Sequence, residues 1–128
     1  MAYNVLIVDD SQTMRQVIRK SVMLSGFDAG EFWEAGDGRE ALKTLREHFI
    51  DLILTDLNMP RMNGLELLKE LAKDELLQKI PVVLVTSEAT ESAIKEACAL
   101  GVKEYVHKPF YPEIMRDVLT RVMEKAYV

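Results

Sequence analysis

A single cysteine, Cys98, stands among the 128 residues. One thiol can close no internal disulfide, and no second cysteine lies at metal-ligand spacing from it. A reduced, cytoplasmic setting is therefore expected. Long apolar runs are also missing: none approaches the roughly 20 residues that a membrane-spanning helix needs. The opening Met1-Ala2-Tyr3-Asn4 has neither the basic start nor the cleavage site of a secretion signal. Excess positive charge is lacking too. Sixteen basic against twenty-one acidic residues leave a formal net charge of −5, which opposes attraction to nucleic acid or to an anionic membrane surface. Neither is expected as a partner.

What is present is the composition of an ordinary globular chain, 48% hydrophobic and 29% charged. No linker, repeat or low-complexity stretch divides it, so residues 1–128 are expected to form one domain. Short apolar, β-branched runs alternate with amphipathic ones, the pattern of repeated strand–helix units around a parallel sheet. Strands are expected at Tyr3 to Val8, Ala29 to Trp33, Asp51 to Thr55, Pro81 to Thr86 and Val102 to His107. The first helix carries an apolar stripe of Met14, Val17, Ile18, Ser21, Val22 and Ser25, with Ser11 as N-cap and Gly26 as its left-handed stop. Arg15, Gln16, Arg19 and Lys20 then face water. Further helices are expected from Asp37 to about His48, Asn63 to about Leu76, Thr90 to Leu100, and after Pro112. The last has its stripe at Ile114/Met115, Val118/Leu119, Val122/Met123 and Ala126. The Thr90 to Leu100 helix offers an inner face of alanines with Ile94, Cys98 and Leu100, too little apolar area for firm docking. The fold class is α/β, a single doubly wound five-stranded parallel sheet in the order 2-1-3-4-5 flanked by five helices, flavodoxin-like.

Every strand but the second ends in a polar residue of chemical use: Asp9-Asp10, Asp56, Thr86-Ser87 and Lys108. A parallel sheet brings these ends to one edge, where open α/β folds bind ligands. The strand order makes strands one and three neighbours, so Asp9, Asp10 and Asp56 converge. Clustered carboxylates repel unless one takes a proton or a cation joins them. Mg²⁺ suits such a set, since it prefers oxygen ligands and commonly uses one or two carboxylates plus a phosphate. Asp56, with Asn58-Met59-Pro60 turning tightly after it, is the candidate nucleophile. Phosphoryl transfer then needs positioning and cancellation of charge. Lys108 supplies a compact positive charge and Thr86 a hydroxyl donor.

The segments Val8-Asp9-Asp10-Ser11, Leu54-Thr55-Asp56-Leu57-Asn58-Met59-Pro60, Met62-Asn63-Gly64, Val85-Thr86-Ser87 and His107-Lys108-Pro109-Phe110 give the chain its resemblance to bacterial two-component response regulator receiver domains. Within that family it is most similar to the stand-alone chemotaxis regulators. By that resemblance Asp9, Asp10, Asp56 and the backbone carbonyl of Asn58 bind Mg²⁺, and a histidine kinase is the phosphodonor to Asp56. Thr86 and Tyr105 couple the site to an output face, and Asn58 and Glu88 tune the lifetime of the phosphorylated state. The output partner is a flagellar motor switch component or another effector, the chain acts as a monomer, and the Lys108-Pro109 bond is cis. The family is not one of turnover enzymes: each domain catalyses its own phosphorylation and dephosphorylation. Three departures are Asn63 where the family often has aspartate, Ser87 where alanine is common, and Thr90 where motor-binding relatives carry a basic residue.

Plainer readings exist for each residue alone. Asp9-Asp10 could be a solvated strand end, Asp56 and Lys108 a structural ion pair, Tyr105 packed aromatic surface. His48 and His107 lack a metal-ligand pattern and are expected at the surface, and Met59, Met62 and Trp33 in core or loop packing. Rival functions are a phosphorelay or adaptor receiver with a non-motor partner, and an aspartate-nucleophile phosphatase. The phosphatase motif would place a second acid where Asn58 stands. A flavin carrier would need a Ser/Thr/Gly-rich phosphate cradle that the loops lack.

Overall fold

In the computed structural model, which describes residues 2–127, the apolar runs become strands and the amphipathic runs helices. In chain order these are β1 Tyr3–Val8, α1 Gln12–Leu24, β2 Ala29–Ala35, α2 Gly38–Glu47, β3 Leu52–Thr55, α3 Gly64–Ala72, β4 Val82–Thr86, α4 Glu91–Ala99, β5 Glu104–His107 and α5 Pro112–Tyr127, with a 3-10 turn at Leu77–Lys79. The strands form one parallel sheet in the expected order, β2-β1-β3-β4-β5.

Successive strand residues point to opposite faces, and in β1, β3 and β4 both faces are buried. Leu6, Val8, Ile53 and Leu84 meet Ala41, Leu42, Leu67, Leu68 and Ala97 from α2, α3 and α4. Val5, Ile7, Leu52, Leu54, Val83, Val85 and Val106 meet Ile18 and Val22 of α1 and Met115, Val118, Leu119 and Val122 of α5. Each of the Val, Leu, Ile and Met side chains contributes about 1.5–3 kcal/mol on leaving water, the alanines less, and together they hold the sheet that carries the site. The exception is α4, where Ala97 alone is buried, as its alanine-rich sequence implies.

Helix starts are capped by side chains that accept an orphan amide. Ser11 Oγ accepts from Met14 N, Asp37 Oδ1 from Glu40 N and Thr90 Oγ1 from Ala93 N, while Asn63 and Glu66 form a reciprocal capping box. Gly26, at φ +83°, ends α1 as expected.

Several boundaries and orientations differ from the sequence-based expectation. β2 continues past Trp33 to Ala35, because it follows β1 as far as the Val8–Ala35 pair. α3 stops at Ala72 rather than Leu76: Asp74 Oδ1 accepts from Leu76 N and Leu77 N and starts a separate turn. β5 begins at Glu104, and Val102 remains in the preceding loop with its amide on Ala97 O. Val17, Ile114 and Ala126 fall on solvent-facing sides of their helices, as does Cys98 in α4. His48 is half-buried and not a surface residue, its ring stacked on Trp33 with centroids 3.6 Å apart. Arg19 is exposed as expected, with its guanidinium over the Phe32 ring, 5.0 Å from the centroid.

Candidate functional site

The register of the sheet builds the site. β1 and β3 pair through Val8 and Thr55, and Asp56 N donates to Val8 O at 3.0 Å, so the next residues, Asp9 and Asp56, leave the sheet side by side. Asp9 is fixed by Ser11 N, which donates to its Oδ1 at 2.9 Å. Asp56 is fixed by Leu57 N, which donates to its Oδ1 at 2.7 Å. One carboxylate oxygen from each of Asp9, Asp10 and Asp56 lies within 4.8 Å of the others. Asp9 and Asp56 are buried, whereas Asp10 is exposed.

Lys108 enters from the far side of the sheet. β4 and β5 pair through Thr86 and His107, and Lys108 N donates to Thr86 O. Its side chain crosses the strand ends, with Nζ 2.7 Å from Asp9 Oδ2 and 3.2 Å from Asp56 Oδ2. The Lys108–Pro109 peptide is cis. Three carboxylates against one ammonium leave two negative charges unbalanced, with two of the three acids buried. A hard divalent cation fits that deficit. The donors are all oxygens, one from each carboxylate lies within 4.8 Å of the others, and Asp10 is exposed, so water can supply the remaining ligands.

Two hydrogen bonds order the rim. Thr86, fully buried, accepts from Glu88 N through Oγ1 at 3.1 Å. Glu88 Oε2 in turn accepts from Asn58 Nδ2 at 2.7 Å. Tyr105 stands apart from the acids. It is 45% exposed on β5 and borders an open depression lined by Ala89, Glu91, Ile94, Lys95 and Cys98, beside the lightly packed α4. His107 is exposed, with Nε2 3.2 Å from Ser87 O.

The geometry adds residues that pattern reading missed. Arg15 does not face water as expected: its Nη1 donates to Asp9 O at 2.6 Å and its Nε to Glu34 at 2.8 Å, so it braces the backbone behind the acids. Nothing in the local sequence separates it from Arg19 on the same helix. Gly64 begins α3 so near β3 that an added Cβ would overlap Asp56 O and lie 2.9 Å from Leu57 Cα. Asp37, read only as a helix start, is buried and paired with Arg61, whose Nε lies 2.6 Å from its Oδ2. Burial pushes the Asp37 carboxyl up, but donation from Glu40 N and the Arg61 guanidinium together hold it below its ordinary value.

Comparison with known proteins finds relatives over nearly the whole chain. A family model described as the response regulator receiver domain matches residues 5–120. The chain is 40% identical over 121 residues to the chemotaxis protein CheY of Pseudomonas aeruginosa, covering 94% of this chain and 96% of that protein. It is 39% identical to CheY-3 of Vibrio cholerae, with 94% and 92% covered. The solved structure of the chemotaxis protein CheY4 of Vibrio cholerae superposes with a TM-score of 0.85 at 34% identity, covering 95% of this chain and 99% of that one.

Proposed function

The chain belongs to the response regulator receiver domain family, and from that membership we propose that Asp56 is the residue through which this phosphorylation-activated switch receives its signal. Residues 1–128 act as one receiver domain, and a histidine kinase supplies the phosphoryl group. A carboxylate oxygen of Asp56 attacks the phosphorus of a phosphohistidine. The new P–O bond forms as the P–N bond breaks, and the leaving imidazole keeps or regains one proton. Asp56 enters this step already oriented, because Leu57 N holds one of its oxygens.

Asp9, Asp10, Asp56 and the carbonyl oxygen of Asn58 would hold Mg²⁺, which supplies positive charge to the transferring oxygens when bound. Lys108 neutralises the phosphoryl group, exchanging its contact with the Asp56 carboxylate for one with a phosphoryl oxygen. Thr86 turns its hydroxyl to donate to another phosphoryl oxygen, which frees the Glu88 amide that it now binds. That release loosens the loop leading to α4, and Tyr105 moves into the adjoining space, shifting the population between two packings. Asn58 and Glu88 cover the approach of water to the acyl phosphate and so set its lifetime. Transfer and hydrolysis are self-catalysed in that this chain supplies the nucleophile Asp56, the charge of Lys108 and the hydroxyl of Thr86.

Chemotaxis is the pathway proposed for the output, because the curated relatives that cover nearly the whole chain are named as chemotaxis proteins. A flagellar motor switch component, or another effector, then binds the monomer at the face bearing Tyr105. The observation that carries the reading is Lys108 Nζ bridging Asp9 and Asp56 within a cluster of three acids. Phosphorylating the protein with a small acyl phosphate, reducing the adduct with borohydride and mapping peptides tests it. Reduction at Asp56 alone is expected. Reduction at another aspartate would reassign the acceptor.

A further inference from the structure

We infer that Asp37 and Arg61 form a positioning clasp which sets the β3–α3 loop, and with it the Asn58 carbonyl, over the acidic cluster. The inference rests on the reading of Asn58 as a metal ligand and adds residues outside that ligand set. The loop runs from the end of β3 to the start of α3, and Gly64 N, donating to Leu57 O at 2.8 Å, closes its base. Its tip is held separately. Arg61 Nε donates to Asp37 Oδ2 at 2.6 Å, and Gly38 N donates to Met62 O at 2.9 Å. Asn58, Met59 and Pro60 span the distance between these anchors.

Two features say that the tip is held rather than resting there. Arg61 has φ +61°, the left-handed region that a side chain with a Cβ adopts at a cost. Its own side chain is 61% exposed, so apolar packing does not hold it in that conformation. The Asp37 side chain is 1% exposed, and a carboxylate so placed needs a cation beside it. Arg61 is that cation. The pairing fixes the loop tip to the start of α2, an element that supplies no metal ligand. Asp37 also caps α2 through its other oxygen, so the clasp is anchored on a helix end rather than on a free loop.

Mg²⁺ demands near-octahedral geometry at short distances, whereas Ca²⁺ accepts longer and less regular ones. A loop released at its tip should therefore lose Mg²⁺ affinity more than Ca²⁺ affinity. Isothermal titration of the full chain with each metal, on wild type, Asp37→Asn, Arg61→Met and Arg61→Lys, reads this directly. Asparagine still caps α2, so Asp37→Asn removes the clasp and keeps the helix. Arg61→Gly suits the left-handed backbone and replaces Arg61→Met if that variant unfolds. The Mg²⁺ dissociation constant is expected to rise about tenfold in Asp37→Asn and Arg61→Met, the low end of the effect for groups that orient metal ligands. Ca²⁺ should change much less, and Arg61→Lys should recover part of the loss. Unchanged Mg²⁺ affinity, or equal losses for both metals, would overturn the clasp while leaving the metal site standing. A wild type that binds neither metal would sink the site and the clasp with it.

Discussion

Replacing Lys108 by Met removes the ammonium shared by Asp9 and Asp56 and keeps the apolar stem in place. Its Nζ stands 2.7 Å and 3.2 Å from the two carboxylates, and the three side chains are only 12%, 2% and 11% exposed. At an effective dielectric constant of about 20, each contact carries roughly 5–6 kcal/mol of Coulomb attraction, much of it offset by the dehydration of both partners. Removing one member of a buried pair costs about 3–5 kcal/mol net. Asp10 is open to water and counter-ions, which favours the low end. A loss near 3 kcal/mol is therefore expected without divalent metal, equivalent to a fall in Tm of roughly 10–15 °C for a chain of this size. Mg²⁺ replaces the missing charge, so the loss should shrink to well under half when it is added. Asp56→Asn in the Lys108→Met background removes one of the opposed carboxylates and should recover most of the stability, a coupling of roughly 1–3 kcal/mol between the two sites. Urea unfolding of the four proteins, in EDTA and in Mg²⁺, measures each quantity. A loss below about 1 kcal/mol in EDTA, the size of an exposed ion pair, would refute the reasoning, as would a loss that Mg²⁺ leaves unchanged.

Three further outcomes are expected. Gly64→Ala drives a Cβ into Asp56 O and Leu57 Cα and should cost about 3 kcal/mol by urea titration, as overpacking against backbone does; a neutral effect would mean that α3 can retreat freely. Asp37 has its folded pKa below the ordinary 3.8, so the stability that it contributes is fully present above that value and is lost as pH falls through the folded pKa. Asp37→Asn should flatten the acid limb of the stability–pH curve below about pH 4, and a curve parallel to wild type would contradict the pairing with Arg61. Glu88→Ala frees the exposed Asn58 amide and should change stability by less than about 0.5 kcal/mol while shortening the phosphorylated lifetime severalfold, followed as the decay of the phosphorylated mass. An unaltered lifetime would remove that pair from the control of hydrolysis.

The central strands were legible because each is a continuous β-branched or leucine run that ends at a polar residue, and their order followed from the common doubly wound arrangement of five such strands. Parallel pairing in that order brings Asp9, Asp10, Asp56, Thr86 and Lys108 to one edge, since strand order and direction suffice to place strand ends. β2 was read short because an edge strand with one half-covered face has weak periodicity. α3 was read long because Glu75 and Leu76 continue the helical pattern, whereas the break comes from the Asp74 side chain competing for backbone amides. Arg15 and the Asp37–Arg61 pair were not legible for a different reason. Their roles depend on where a long side chain turns and on partners 19 and 24 residues away, and neither is written in local periodicity.

The central claim is tested most directly by intact-mass analysis after incubation with Mg²⁺ and acetyl phosphate, on wild type and Asp56→Asn. One phosphoryl addition to wild type, absent from the variant and absent in EDTA, is the predicted result. Addition to Asp56→Asn at the same stoichiometry, or none to wild type with any donor, would contradict the account.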